Sequence, residues 1–137
     1  MNDTQSQKHL IATYCARNKT INDGLEPAHK RYISERIDMT REAAKEPTCL
    51  FAILSGSFGL IDGDELIPHY DHLLQEDEIQ SMVLKVTSTL IKWEVTHITW
   101  YSLPDELDPY VWRYRKVITN SAKQAGCHLK TVDILKD

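Results

Sequence analysis

Ser55-Gly56-Ser57-Phe58-Gly59 is the segment whose residue types most directly suggest chemistry. An apolar run enters closely spaced glycines there, so backbone amides can approach a ligand unobstructed and form an anion nest; the competing reading is a sharp turn that needs small residues. It is not a P-loop, because Lys and Ser or Thr do not follow the second glycine. A hydrolase nucleophile elbow would need Gly two residues before Ser55, and Ile53 stands there. Lys19, with Arg17 close by, supplies positive charge where an anion or a developing negative charge would sit. Cys15 precedes them, but a nucleophilic thiol needs a neighbouring cation or imidazole, and a buried structural role is the stronger reading for Cys15, Cys49 and Cys127 alike. His69-Tyr70-Asp71-His72 offers two imidazoles and a carboxylate, yet the chain has no second ligand pair at regular spacing. No metal and no cofactor is expected.

Such residues need elements to position them. A chain of 137 residues, 42% hydrophobic, can build one core, which excludes wholesale disorder, and no apolar run approaches the ~20 residues of a membrane span. Residues 1–8 read as a frayed tail and 9–137 as one α/β domain. His9–Tyr14 (HLIATY) predicts a strand ended by a polar loop. Tyr32, Ile33, Arg36, Ile37, Thr40, Ala43 and Ala44 recur at helical spacing before Pro47, predicting a helix from residue 26 or 28 to 45. The wholly apolar residues 49–54 (CLFAIL) predict a central strand. Residues 55–74 form a long connection, and loops of that length are more often functional than not.

Ile79, Met82, Val83, Val86 and Leu90 mark a second helix, and residues 95–101 (VTHITWY) a strand. Ser102 and Asp105 resemble a capping box opening a third helix, which Gly126 stops, and residues 129–135 close the sheet. Strand and helix alternate as βαβαβαβ, which implies a mostly parallel four-stranded sheet with helices on both faces. In such sheets ligands bind outside the carboxyl ends of the strands. That rule selects Arg17 and Lys19, then Ser55, Gly56 and Phe58, then Tyr101, with Tyr70 and Asp71 closing over the same edge from the long loop. Most of the remaining aromatics fall at core spacing.

Residues 60–80 hold seven Asp and Glu and no Lys or Arg, so a net charge of −4 leaves the remainder at +3, thinly spread. The acidic stretch reads as a solvated loop and helix start. No basic stripe forms, so charge gives no support to nucleic-acid binding. The polar start MNDTQSQKH lacks a signal peptide's apolar stretch, which predicts a cytoplasmic protein with reduced cysteines and no membrane partner.

Residues 53–74, ILSGSFGLIDGDELIPHYDHLL, resemble a signature of the YaaA-type peroxide stress proteins and their short relatives. The agreement covers Ser55, Gly56, Phe58, Gly59, Leu60, Asp64, Tyr70 and Leu74, with Phe58 in place of the usual Tyr and His69 interposed before Tyr70. LIATYCARNKT resembles that family's first strand and its loop ending in Lys-Thr, here Lys19 and Thr20. The resemblance implies an α/β fold with its site at these two blocks. Longer members are associated with DNA protection through a helix-hairpin-helix element, which has no counterpart between Thr20 and Cys49, so DNA binding is not carried over.

The resulting expectation is a pocket for a small-molecule or nucleotide ligand at the carboxyl edge, in an enzyme acting on a nucleotide, nucleobase or nucleic-acid component. Lys19, Ser55 and Asp71 are its catalytic candidates, and Arg17, Gly56, Phe58, Tyr70 and Tyr101 its ligand contacts. The alternative is a non-catalytic stress-response or nucleic-acid-associated binding protein. Lys19, Ser55 and Tyr70 should surround one cleft.

Overall fold

The apolar run His9–Tyr14 forms β1, buried from Leu10 onward. The computed structural model describes residues 7–137, so residues 1–6 of the expected tail lie outside the described residues. Lys8 is already tied in, its amide donating to Thr96 Oγ1 at 2.8 Å.

After β1 the chain passes through β2 (Glu26–Pro27), α1 (Ala28–Arg31) and α2 (Glu35–Ala43). The one helix expected here is therefore two, for a tertiary reason. Lys19 and Tyr32 form a β-bridge, flanked by bonds from Thr20 N to Arg31 O and from Ile33 N to Asn18 O, both 2.8 Å. Those bonds hold Tyr32 extended. Ser34 then restarts the helix as its N-cap, Oγ accepting from Ile37 N at 3.1 Å.

β3 (Cys49–Ser55) pairs parallel with β1, and the expected long connection turns out to contain strands: β4 (Gly59–Asp62) runs antiparallel to β3, and β5 (Leu66–Ile67) pairs with β2. Gly59 adopts φ +79°, the left-handed conformation that closes the three-residue turn between β3 and β4. A 3₁₀ turn at Glu76–Glu78 leads into α3 (Ile79–Lys92), followed by β6 (His97–Ser102), α4 (Val111–Ala125) and β7 (His128–Asp133). Ser102 ends β6 and donates to Leu103 O, so the expected capping box does not form and α4 begins only at Val111. Gly126, at φ 75°, ends α4.

The sheet is five-stranded in the order β4-β3-β1-β6-β7, parallel apart from β4. This corrects the four-stranded expectation, because the short run GLID pairs back on β3. Arg36 of α2 donates to Thr13 Oγ1 at 2.6 Å and lies 3.8 Å from the centroid of the Tyr14 ring, and Tyr114 of α4 stacks on that same ring with centroids 5.3 Å apart. β1 feeds β3 on one side before the chain crosses to β6 on the other. Its carboxyl end is therefore where the connections diverge, the place where open α/β sheets leave a crevice.

Candidate functional site

A cleft of about 610 Å³ opens at that divergence. The end of β1 supplies Tyr14 and Cys15, the next loop Arg17 and Lys19, and the connection after β5 Asp71 and His72. Asp108 and Tyr110 come from the loop after β6, Arg36 and Tyr114 from α2 and α4, and Asp137 from the segment after β7.

Lys19 is half-buried and pinned by its backbone bridge to Tyr32. Its Nζ lies 4.8 Å from the centroid of the Tyr70 ring and 5.8 Å from that of Tyr32, and donates to Arg17 O at 3.3 Å. Loss of water around the ammonium lowers its pKa from the ordinary lysine value; Cys15 and Asp71 oppose the shift and Arg17 adds to it. Among the described residues no carboxylate pairs with it.

The phenols beneath Lys19 are linked to Ser55. Tyr32 Oη and Tyr70 Oη share a hydrogen bond of 2.5 Å, and Ser55 Oγ donates to Tyr70 Oη at 2.9 Å. Ser55 Oγ also accepts from the amides of Ser57 and Phe58, both at 3.1 Å. Burial, and secondarily Cys15, pushes both phenol pKa values up, so they remain protonated donors. On the opposite wall the Cys15 thiol donates to Tyr114 Oη at 3.6 Å, and Tyr14 Oη donates to Asp108 Oδ2 at 2.9 Å.

Of the expected site residues, Lys19, Arg17 and Asp71 line the cleft, Arg17 and Asp71 being exposed. Ser55 is completely buried and reaches Lys19 only through Tyr70. Its hydroxyl occupies the very amides that an anion nest would have offered, so the Ser55 turn is structural. Gly56 has the same character: a Cβ there would lie 2.9 Å from Leu74 N and 3.0 Å from His72 O. Phe58 packs edge-on to Tyr70 with centroids 4.9 Å apart, supporting that ring from behind. Tyr101 does not line the cleft; its carbonyl accepts from Thr13 Oγ1 at 2.7 Å within the sheet. Lys19, Ser55 and Tyr70 thus form one contiguous cluster, of which only Lys19 faces the opening.

Sequence reasoning missed Arg36, Asp108, Tyr110, Tyr114 and Asp137 as lining residues. A signal existed for Arg36, a charged residue inside an apolar helical stripe, since a buried guanidinium must find acceptors. None existed for Asp137, whose partner is Ser34.

His72 pairs with Glu78 at 2.8 Å and His69 is exposed. Among the described residues no group of three or more His, Cys, Asp or Glu is arranged to hold a metal ion, and no helix is long and apolar enough to cross a membrane.

The class that this fold and cleft define is a small, mostly parallel α/β domain with a polar, aromatic-walled crevice at its switch point. Compared with protein-family models, curated proteins and solved structures, the chain matches none of them.

Proposed function

We propose that this protein is an enzyme that holds a nucleotide- or nucleobase-sized anionic ligand in the cleft at the carboxyl end of β1 and acts on it there. The observation that carries the reading is Lys19, an ammonium half removed from water with no carboxylate partner among the described residues, facing a cleft of nucleotide size. A ligand phosphate would supply the missing counter-ion and offset the desolvation. Arg17 stands beside it as a second, exposed cation, and the ring of Tyr110, 38% exposed, offers a face for a base. Lys19 and Asp71 are the groups able to move a proton on the ligand. Ser55 and Tyr70 position Lys19 from behind. The reading also draws on the resemblance of the two blocks to YaaA-type proteins and on a cytoplasmic setting.

Thermal unfolding against a panel of nucleotides, nucleosides and nucleobases tests it. One ligand class should raise the Tm of the wild type, by mass action about 2.7 kcal/mol of stabilisation at a hundredfold excess over Kd. Lys19→Ala should stay folded and lose that rise, and chromatography should show the stabilising ligand converted by the wild type. A panel without a stabilising member, or a full rise in Lys19→Ala, overturns the site. A stabilising ligand recovered unchanged overturns catalysis in favour of a binding protein.

A further inference from the structure

Asp137 stands where an anion of the ligand would stand. Its Oδ1 accepts from Ser34 Oγ at 2.6 Å and lies 3.4 Å from Arg36 Nε, although the side chain is about half exposed. Ser34 caps α2, so this carboxylate sits at the positive end of a nine-residue helix. Arg36 is 1% exposed and lines the cleft from beneath. Its Nη1 donates to Thr13 Oγ1 and Tyr14 O, both at 2.6 Å, and its Nη2 to Cys15 O at 3.2 Å. Nε makes no hydrogen bond among the described residues. Buried guanidinium donors are normally satisfied, and at 3.4 Å Asp137 compensates the charge without completing the bond.

The other carboxylates of the cleft are not in competition for that donor. Asp108 accepts from Tyr14 Oη and from the Tyr110 amide, both at 2.9 Å, and Asp71 belongs to the loop beside Lys19. Without Asp137, the cations Arg17, Lys19 and Arg36 would face only Asp71 and Asp108.

We propose that Ser34 Oγ and Arg36 Nε form a phosphate subsite, and that Asp137 fills it in the free protein as an internal competitor which the ligand displaces. Leu135 and Asp137 both line the cleft, so residues 135–137 act as a strap across it. This rests on the cleft being the ligand site, but it assigns an anchor separate from Lys19.

Inorganic pyrophosphate, titrated calorimetrically at fixed ionic strength into the whole chain, is the probe. Asp137→Asn should bind it about fivefold more tightly than wild type, or better, because the competitor is gone. The same variant should show a lower Tm without pyrophosphate and a larger rise with it. Ser34→Asp keeps a capping oxygen while placing a permanent carboxylate on the subsite, and should bind more weakly than wild type. Equal or weaker binding by folded Asp137→Asn overturns the subsite, as does absence of binding to both wild type and Asp137→Asn. Lys19→Ala separates the two readings. If it alone changes binding, the strap falls and the Lys19 site stands; if only the Asp137 and Ser34 variants change it, the subsite stands and Lys19 falls.

Discussion

Arg31 and Arg36 are both wholly buried, yet they organise two different regions. Arg31 gathers the loop after β1. Its Nη1 donates to Thr20 O at 3.1 Å, to Asn22 O at 3.2 Å and to Asn22 Oδ1 at 3.1 Å, its Nη2 donates to the carbonyls of Gly24 and Ile67, and Glu26 lies 3.3 Å away. Arg36 instead ties down the end of β1 and then meets the cleft. Among the described residues both leave Nε without a hydrogen bond, so that feature alone does not mark a site. What differs is the ability of the partners to leave. Both arginines hold backbone carbonyls that cannot leave without unfolding, but the carboxylate beside Arg31, Glu26, is only 22% exposed, whereas the one beside Arg36, Asp137, is 47% exposed and open to replacement by a ligand. The same residue type is scaffold in one region and receptor in the other.

The comparison breaks most easily at its scaffold end. Arg31→Met should cost about 3–5 kcal/mol in urea unfolding, since it strands several carbonyls at once. Arg36→Met should cost less, about 1–3 kcal/mol, because the acceptors it abandons border a cleft that water can enter. Equal losses in the two variants would erase the distinction.

Gly56→Ala follows at about 2 kcal/mol, as its Cβ would press on the backbone of residues 72 and 74 rather than on a movable side chain. A loss below about 0.5 kcal/mol in the same unfolding assay would take the Ser55 turn out of the scaffold and return it to the candidates for ligand contact.

Lys19 gives the smallest effect. Burial lowers its folded pKa below 10.5, so between the folded value and 10.5 the native state binds fewer protons than the unfolded state. Stability should therefore rise with pH across that window, and Lys19→Met should flatten the rise in urea midpoints measured along it. Identical slopes in the two proteins would group Lys19 with fully solvated lysines.

The parallel strands were legible because an apolar run between polar breaks has few alternatives: HLIATY and CLFAIL both form strands of the sheet, paired in register from His9 with Cys49 to Tyr14 with Leu54. The stripe of α3 was equally readable, and Ile79, Met82, Val83, Val86 and Leu90 are all buried. The helix predicted to span residues 26 or 28 to 45 was misread because its periodicity includes Ile33, which is 57% exposed in the extended link between α1 and α2. Periodicity reports which residues could share a face; it does not report that Asn18 and Thr20 compete for the backbone there. The antiparallel β4 escaped because four residues between glycines and aspartates carry too short a pattern to distinguish from a loop.

By itself the sequence determined the α/β class with a mostly parallel sheet and the delivery of Arg17, Lys19 and Asp71 to one edge, because strand and helix are local patterns and a parallel sheet leaves its loops at predictable ends. Only the tertiary structure decided which polar groups are consumed and which are left facing the cleft. Ser55 is spent on Tyr70 and two amides of its own turn, Tyr32 is brought to Tyr70 across 38 positions, and Ser34 and Arg36 meet Asp137 across about a hundred. Satisfaction of a buried donor depends on the acceptors that folding carries to it, and partners so distant along the chain leave no mark on the periodicity of either segment.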